Sequence, residues 1–283
     1  MDVSDIVSIV PAYNDQEGLD TTLQSLDRFG LAMIVAVDDC SEPPLQAPHD
    51  LSTPFKFIRH DKNKGAAAAR NTAISAISTI KSDWVYFTDC DCIHQPDIFL
   101  SYQKSLAKGY SNVSAFTGPV VATTQGRLGT FYTEEGILNP PLFTINNAGI
   151  RERIVDYKTY SEDDKIEAVM IITCNALVSR AAIDKVGYFD EKFGNAAEDV
   201  DLGWRLSKVG KIVWCKYAEL AHNFTESLDD FDSRFKKYGR GHRLLSDKYN
   251  FEWTPHHFHI QSPRDVELSE RKNKMMAEGF NSI

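Results

Sequence analysis

Short apolar runs alternate with helical segments through the N-terminal third of this chain, and this alternation limits the folds that it can adopt. Glu17–Phe29 has leucines at spacings of three and four, and Gly65–Ile74 is rich in alanine, so both predict helices. Strands and helices that alternate in this way form a mainly parallel α/β sheet. The runs that predict buried strands are Ile6–Val10, which Pro11 ends, Met33–Val37, Phe55–Ile58 and Trp84–Phe87.

The order of elements becomes mixed in the middle of the chain. Ala115–Thr123 and Val169–Val178 have the composition of strands, whereas Asp97–Ala107 and Asp199–Val209 have that of helices. Asn139–Lys165 contains Pro-Pro, Asn-Asn-Ala-Gly and Glu-Asp-Asp and has weak periodicity. We therefore interpret this last segment as a long mobile loop over a site.

The C-terminal part of the chain predicts helical structure outside the sheet. Phe224–Tyr249 carries aromatic residues at helical spacing among clustered basic residues. The tail after Pro255 is expected to be peripheral or disordered. We predict one α/β domain over residues 1–222, with halves 1–110 and 111–222, and a helical extension over residues 223–283.

Composition and charge exclude several classes of protein. The chain has 283 residues, of which 42% are hydrophobic and 25% are charged, as in ordinary globular domains. Its net charge of −9 argues against a nucleic-acid surface, because such a surface needs clustered Lys and Arg in excess. No apolar run approaches the roughly 20 residues of a membrane helix. The N-terminus also lacks the basic start of a signal peptide.

Cysteine usage predicts a reducing compartment. Five cysteines are an odd number without the spacing of a disulfide framework, so we expect free thiols and a cytoplasmic protein. The basic residues among aromatics between Arg234 and Arg243 leave two interpretations open. They could contact the inner face of a membrane, or they could lie on a solvated amphipathic helix that packs on the domain.

Two carboxylates, Asp89 and Asp91, directly follow the predicted strand Trp84–Phe87. In open α/β sheets, ligands bind in the crevice outside the carboxyl ends of the strands. Carboxylate oxygens suit Mg²⁺ or Mn²⁺, and Mg²⁺ commonly keeps one or two protein carboxylates together with substrate phosphates. The pattern therefore favours a metal and phosphate site, with two solvated turn aspartates as the alternative.

Three further segments are predicted to reach the same sheet edge. Ser8–Asn14 ends the first strand in a turn, and Val37–Ser41 ends the second with two acids, where Rossmann-like sheets hold a nucleoside. Asn63–Asn71 combines a glycine turn, a helix start and Arg70, which favours contact with an anion. Its alternative is a plain packing helix. Neither G-x-G-x-x-G nor a P-loop motif is present, so the main sequence evidence for a dinucleotide-binding or P-loop protein is missing.

An acidic helix start follows the turn Gly194–Ala197. Glu198, Asp199 and Asp201 could simply cap the helix and complement its dipole. Together with the downstream His222 they suggest more, namely a carboxylate as general base and a neutral imidazole as a ligand of the metal.

These segments resemble, in order and spacing, the motifs of inverting family-2 glycosyltransferases with the GT-A fold. The similarity extends from about Val7 to His222. The sequence departs from the family at Cys90-Asp91-Cys92, where many relatives have small residues or a further acid. The matching segments are Ser8–Asp15, Val37–Ser41, Asn63–Asn71, Asp89–Asp91, Cys174–Arg180, Val186–Phe193 and Glu198–Leu202.

The resemblance implies a Rossmann-like mixed sheet flanked by helices, which binds a nucleotide-diphosphate sugar, with a UDP-sugar favoured, and Mn²⁺ or Mg²⁺. It implies that Asp91 and His222 bind the metal directly, and that Asp89 binds the ribose or reaches the metal through water. The residues that it implies for the nucleotide are Pro11, Ala12, Tyr13, Asp39, Arg70, Asp89 and Cys90.

The resemblance also implies the reaction. Asp199 would deprotonate an acceptor hydroxyl that attacks the anomeric carbon of a hexosyl donor in a single inverting displacement. Glu198 and Asp201 would orient the acceptor or the helix. The acceptor would be a glycan, a glycolipid or another glycoconjugate, and Asn139–Lys165 and the last helix would select it.

Three other functions stay open at this point. A sugar-phosphate nucleotidyltransferase would also use acids and Mg²⁺, but no Gly/Arg/Lys-rich activation loop follows the first strand. A glycoside hydrolase could use two carboxylates, although it would not need the nucleoside segments. A catalytically silent nucleotide-sugar-binding module would not need Asp91, Asp199 and His222 together.

Overall fold

The computed structural model describes residues 1–48, 50–134, 137–145, 151–155, 165–224, 227–252 and 265–283, with the backbone alone for residues 145 and 151–155. The described helices are α1 (Gln16–Asp27), α2 (Ala66–Ala76), α3 (Ile98–Ala107), α4 (Gly126–Glu134), α5 (Arg180–Val186), α6 (Glu198–Ser207), α7 (Leu228–Tyr249) and α8 (Val266–Phe280). The described strands are β1 (Ile6–Ala12), β2 (Met33–Asp38), β3 (Phe55–Arg59), β4 (Trp84–Phe87), β5 (Cys92–His94), β6 (Val113–Thr117), β7 (Val120–Ala122), β8 (Leu142–Ile145), β9 (Arg151–Val155), β10 (Ile166–Ala168), β11 (Ala176–Ser179), β12 (Lys211–Trp214) and β13 (Leu220–His222).

A mixed sheet with the strand order β3-β2-β1-β4-β11-β6-β12-β10-β8-β9 forms the centre of the described chain. The strands β3, β2, β1 and β4 are parallel, as the sequence predicts. Alternate residues of β1 enter two different cores, Val7 and Ile9 on one face and Ile6 and Val10 on the other. The first core contains apolar residues of α2, α5 and α6, and the second contains those of α1 and α3. The sheet is therefore covered on both faces.

Strand β1 continues through Pro11, where the sequence predicted its end. The carbonyl oxygen of Ala12 accepts a hydrogen bond from the amide of Asp39 on the β2 side, at 2.9 Å. The backbone N–H and C=O groups of neighbouring strand residues point to opposite edges of the strand. The backbone nitrogen of Pro11 therefore points towards β4. The pairing of β1 with β4 ends at Ile9 and Phe87, so the missing N–H of the proline removes no ladder hydrogen bond.

Two predicted strands in the middle of the chain are broken by turns. Ala115–Thr123 divides at Gly118 into β6, in the large sheet, and β7, in a small sheet with β13 and β5. Val169–Val178 is a strand only in β11, which starts at Ala176. Before it, the fully buried Asn175 donates to the carbonyl of Ala218 at 2.7 Å and accepts from the Tyr102 hydroxyl at 2.5 Å. A buried amide needs such partners, and the chain bends to supply them.

The prediction of a loop over Asn139–Lys165 is wrong in part. Within this segment β8 pairs antiparallel with β9 and with β10, so two stretches of it extend the large sheet. Leu142 is buried in the core beneath the sheet. The mobility predicted for the whole segment stays a prediction, and residues 146–150 and 156–164 lie outside the described part of the chain.

The prediction of a peripheral or disordered tail is wrong for α8, while residues 253–264 lie outside the described part. Helices α7 and α8 run in the same direction, since Asp232 pairs with Arg271 and Arg243 lies over Phe280. They pack so closely that a Cβ atom on Gly239 would lie 2.0 Å from the carbonyl oxygen of Met276. A Cβ atom on Gly279 would lie 2.0 Å from the carbonyl oxygen of Lys236. The apolar stripe of α8 that packs into this contact consists of Leu268, Met275 and Met276. None of the described helices has both the length and the apolar composition to cross a membrane.

Candidate active site

A cavity of about 1320 Å³ opens at the carboxyl ends of β1, β2 and β4. The sheet supplies one side of it, and the start of α6 together with α7 supplies the other. The predicted site residues that line this cavity are Pro11, Ala12, Tyr13, Asp39, Arg70, Asp89, Cys90, Asp91, Glu198, Asp199 and His222. Asp201 is the predicted site residue that lies outside the lining.

Asp91 and His222 meet at one end of the cavity. Pairing of β13 with β5 sets His222 opposite Cys92, and the Nε2 atom of His222 lies 3.3 Å from Oδ1 of Asp91. The Nδ1 atom of His222 is buried and has no hydrogen-bond partner among the described residues. Burial raises the pKa of Asp91, and the nearby imidazole opposes this rise. A divalent cation would favour the charged carboxylate, so this donor pair of a partly buried oxygen and a buried nitrogen fits Mn²⁺ or Mg²⁺.

Two buried thiols lie beside these donors. Ligand atoms of Asp91, Cys92 and His222 lie within 4.8 Å of one another, as do those of Asp89, Cys174 and His222. Sequence reasoning did not assign Cys174 to the site, because a single cysteine among apolar residues carries no spacing signal. It reaches the site because β11 lies next to β4 in the sheet.

Arg70 connects the two sides of the cavity. Its side chain is 2% exposed, and its terminal nitrogens donate to Oε1 of Glu198 at 2.8 Å and to Oδ1 of Asp89 at 2.6 Å. The positive charge of this arginine is therefore matched by two carboxylates. The predicted contact of Arg70 with a phosphate stays a prediction.

Asp39 and Tyr13 lie at the ends of neighbouring strands. The buried Asp39 accepts hydrogen bonds from the amides of Lys64 and Gly65 at 2.9 and 2.7 Å and pairs with Nδ1 of His60 at 2.7 Å. These bonds fix the turn that begins α2. Tyr13 is 51% exposed at the cavity, and a ring in this position offers a face on which a base can stack.

The turn Gly194–Ala197, which precedes α6, is held from two sides. On one side the amide of Ala67 donates to the carbonyl of Gly194 at 3.0 Å. On the other side a Cβ atom on Gly241 of α7 would lie 2.6 Å from the carbonyl oxygen of Ala196. Ala197 itself has a φ of 67°, a left-handed conformation that is unfavourable for alanine. The tight contacts over-determine this conformation and thereby fix the start of α6.

The three acids of α6 have different surroundings. Burial, and next the charge of Glu198, raise the pKa of Asp199 to about 7. Glu198 is buried against Arg70. Asp201 is fully buried and accepts hydrogen bonds from Arg205 and from the hydroxyl of Tyr249 at 2.7 Å, so its contacts are those of a residue that fixes α6 against α7.

Helix α7 adds residues that the sequence interpretation did not assign to the site. Arg234, Tyr238 and His242 all line the cavity. Their spacing of four residues is the signal that could have revealed one polar helix face. Phe224 stacks on His222 with ring centroids 4.3 Å apart, and Arg234 lies over the Phe224 ring at 5.1 Å.

Residues 8–187 match the family described as glycosyl transferase family 2. The chain belongs to this family. The prediction that the chain belongs to glycosyltransferase family 2 is thereby confirmed. The match ends before Asp199, His222 and Arg234.

Curated relatives agree with this assignment. The pre-mycofactocin glycosyltransferase of Mycobacterium tuberculosis is 31% identical over 245 residues, which cover 83% of this chain and 46% of the relative. The chondroitin synthase of Pasteurella multocida is 27% identical over 228 residues, which cover 71% of this chain and 23% of the relative. The chain thus spans less than half the length of these relatives.

Solved structures with low sequence identity have the same fold. GalNAc-T7 with UDP, GalNAc and Mn²⁺ has a TM-score of 0.59 at 12% identity, over 95% of this chain and 54% of that one. The mannosyltransferase PcManGT from Pyrobaculum calidifontis, in complex with GDP-Man and Mn²⁺, has a TM-score of 0.57 at 14% identity, over 97% and 70%. S. aureus TarS 1-349 in complex with UDP-GlcNAc has a TM-score of 0.54 at 16% identity, over 98% and 71%. The prediction of a GT-A fold is confirmed.

Proposed function

We propose that this protein is a metal-dependent inverting glycosyltransferase. It would move a hexosyl group from a nucleotide-diphosphate sugar, with a UDP-sugar favoured, to a hydroxyl of a glycan, a glycolipid or another glycoconjugate. One observation carries the proposal: a single cavity contains the Asp91–His222 donor pair and, on its other side, Asp199 with a pKa raised to about 7.

Asp91 and His222 are the residues that would hold Mn²⁺ or Mg²⁺ directly. Asp89, which Arg70 orients through a 2.6 Å hydrogen bond, would contact the ribose or reach the metal through water. When bound, the cation supplies Lewis-acid stabilisation of the diphosphate leaving group. The Mn²⁺ named with GalNAc-T7 and with PcManGT supports this assignment.

The ends of β1 and β2 would bind the nucleoside. The half-exposed ring of Tyr13 would stack on the base. Pro11, Ala12 and Cys90, which also line the cavity, would contact the nucleotide beside it. Asp39 would accept from the nucleoside while it holds the turn before α2. UDP and UDP-GlcNAc in two of the named structures support a uridine donor, whereas GDP-Man in the third makes guanosine the alternative to test.

Asp199 would act as the general base. It takes the proton from the acceptor hydroxyl as the hydroxyl oxygen bonds to the anomeric carbon and the bond from that carbon to the diphosphate breaks. Attack opposite to the leaving group inverts the anomeric centre. A base is most effective when its pKa is near the working pH, and burial has brought Asp199 into that range. Glu198 and Asp201 would hold the helix that presents it.

We also propose that the protein is cytoplasmic and that it contacts the inner face of the membrane peripherally. All five cysteines are free, which suits a reducing compartment. Lys236 and Lys237 are exposed on α7, where they could meet an anionic surface that carries a lipid-linked acceptor. Flotation with anionic vesicles, compared with neutral ones, tests this contact.

The test of the reaction is incubation with a panel of UDP- and GDP-sugars and Mn²⁺, followed by mass spectrometry. We expect the release of a nucleoside diphosphate, its loss in EDTA and its recovery when Mn²⁺ is restored. The release of pyrophosphate would instead identify a nucleotidyltransferase, and hydrolysis of a glycan without any nucleotide would identify a glycoside hydrolase. Full activity in the chelator would contradict metal dependence.

A further inference from the structure

Arg234 occupies a position beside the donor pair at the metal end of the cavity. It lies in the N-terminal half of α7, with its guanidinium 5.1 Å from the centroid of Phe224 and 5.9 Å from that of Tyr132. Phe224 in turn stacks on His222. The charge of Arg234 also reaches Asp91, because it is among the groups that oppose the rise in the pKa of Asp91 that burial causes. A single aromatic ring therefore separates this cation from the donor pair.

The two arginines that line the cavity differ in how their charges are matched. Arg70 donates to two carboxylates, Asp89 and Glu198. Arg234 makes no ion pair with a carboxylate of the described chain. Burial acts to lower the pKa of Arg234, and the neighbours that raise it are Tyr238, which accepts a hydrogen bond from it, Tyr132 and the charge of Asp91. A partly buried cation without a carboxylate partner costs free energy unless an anion matches it. The position is therefore suited to an anion that comes from solution.

The charge of the proposed substrate identifies this anion. A nucleoside diphosphate carries at least two negative charges, and one more develops on its terminal oxygen when the sugar leaves. Asp91 would offset part of the charge of a divalent cation, so the cation alone leaves the diphosphate under-compensated. A guanidinium has a planar donor fork that fits phosphate oxygens.

From these observations we infer that Arg234 binds the β-phosphate of the donor and stabilises the nucleoside diphosphate as it leaves. This inference rests on the proposed function. Residues 8–187 match the family, so Arg234 comes from a part of the chain beyond that match. The cation–π contacts with Phe224 and Tyr132 would hold the guanidinium in one orientation before the substrate arrives. Arg234 would thus add a phosphate-binding group from helix α7 to the metal and nucleotide ligands on the sheet side of the cavity.

The experiment compares Arg234→Gln and Arg234→Lys with the wild-type protein and with Arg240→Gln. Arg240 is exposed on the same helix and does not line the cavity, so its substitution changes the net charge equally. Calorimetry measures the binding of UDP, UMP and uridine in Mn²⁺, with the GDP series as a second arm, and thermal melting reports the stability of each variant.

We expect Arg234→Gln to weaken UDP binding by roughly 10- to 100-fold, the range for one charge-assisted hydrogen bond, while UMP binding changes by less than about threefold. Arg234→Lys should recover part of this loss, and Arg240→Gln should bind as the wild type does. Equal losses for UDP, UMP and uridine would show a packing role and overturn the inference. Unchanged UDP binding in Arg234→Gln would overturn it while the proposed function stands. If the wild type bound neither UDP nor GDP, the proposed function would fall first, and the inference with it.

Discussion

The sheet side and the helical side of the cavity are built in different ways. On the sheet side Tyr13, Asp39 and Asp91 each follow a strand closely, so ladder hydrogen bonds fix the backbone that carries them. On the helical side Asp199 and Arg234 lie on two helices, which side-chain and glycine contacts fix in place. A sheet edge gives a generic binding platform, whereas helix placement depends on the particular sequence.

This difference teaches which part of the site performs which task. The sheet side presents the groups expected to bind nucleotide and metal, while the helical side presents the proposed base, Asp199, and the space that we expect an acceptor to occupy. Substitutions on the sheet side should therefore weaken nucleotide binding. Substitutions on the helical side should slow transfer and leave nucleotide binding intact, with Arg234 as the exception that crosses between the two.

Asp199→Asn gives the largest expected effect and the most direct challenge to this division. The change keeps the size of the side chain but removes the proton acceptor, so transfer should fall by roughly 10²- to 10⁴-fold. Affinity for UDP and Mn²⁺ should stay nearly unchanged. Turnover and calorimetry on the same preparations measure both quantities. Asp230→Asn, an exposed acid that also lines the cavity, is the matched control and should transfer normally.

A parallel loss of nucleotide affinity in Asp199→Asn would contradict the division between the two sides. Transfer at nearly the wild-type rate would leave Asp199 as a helix cap, and Glu198 or Asp201 would then be tested as the base.

His222→Ala should have the next largest effect, which we expect on the binding of metal and nucleotide. Loss of one of two direct ligands should weaken Mn²⁺ binding by roughly 10- to 100-fold, with an equal loss in the Mn²⁺-dependent part of UDP affinity. Electron paramagnetic resonance of free Mn²⁺ measures the first quantity. The control is His94→Ala, because His94 is buried between Ser25 and Thr88 away from the cavity. That variant should melt earlier and bind Mn²⁺ normally, whereas the same behaviour in His222→Ala would make His222 structural.

The pH dependence of transfer offers a finer test of the helical side. Asp199 must be ionised to accept a proton, so kcat should fall about tenfold per unit as the pH drops below its pKa of about 7. Burial and the charge of Glu198 raise this pKa, so Glu198→Gln should lower it and move the acid limb to lower pH. Mn²⁺ affinity measured at each pH separates this effect from protonation of the metal ligands. An acid limb that stays in place, or moves upward, would exclude Asp199 as the titrating base.

Gly239→Ala should have the smallest effect, mainly on stability. Alanine favours a helix by about 1 kcal/mol over glycine, but its Cβ atom would lie 2.0 Å from the carbonyl oxygen of Met276. Forcing the two helices apart typically costs about 1–3 kcal/mol. We expect a lower melting temperature and a loss of UDP affinity smaller than that in Arg234→Gln. Ser233→Ala, at an exposed position of the same helix, should change neither. A Gly239→Ala protein as stable as the wild type would show that α7 has room to move.

The sequence predicted the sheet side well because its signals are local. Strands β1 to β4 are visible in the sequence as apolar runs, and acids of the site follow within a few residues. Order and spacing of these segments were enough to predict the family and the GT-A fold, and the cavity brings the predicted residues together except for Asp201. Their individual roles stay predictions.

The parts that could not be predicted depend on contacts between distant residues. Apolar residues at 169–175 resemble a strand, but the hydrogen bonds of Asn175 to Ala218 and Tyr102 bend the chain there. Helix α8 has a polar sequence whose few apolar residues matter only because α7 lies against them. Arg234 looks like one of several surface cations until Phe224 and Tyr132 are seen beneath it. No local pattern contains such information.

The turn Gly194–Ala197 limits how chimaeras of this protein can be built. It is in contact with the start of α2 through Gly194 and with α7 through Ala196, which Gly241 approaches closely. A transplanted C-terminal helix that brings a side chain to position 241 would displace this turn, and with it Asp199. Exchange of acceptor specificity between relatives should therefore succeed only when the donated helix also carries glycine at that position.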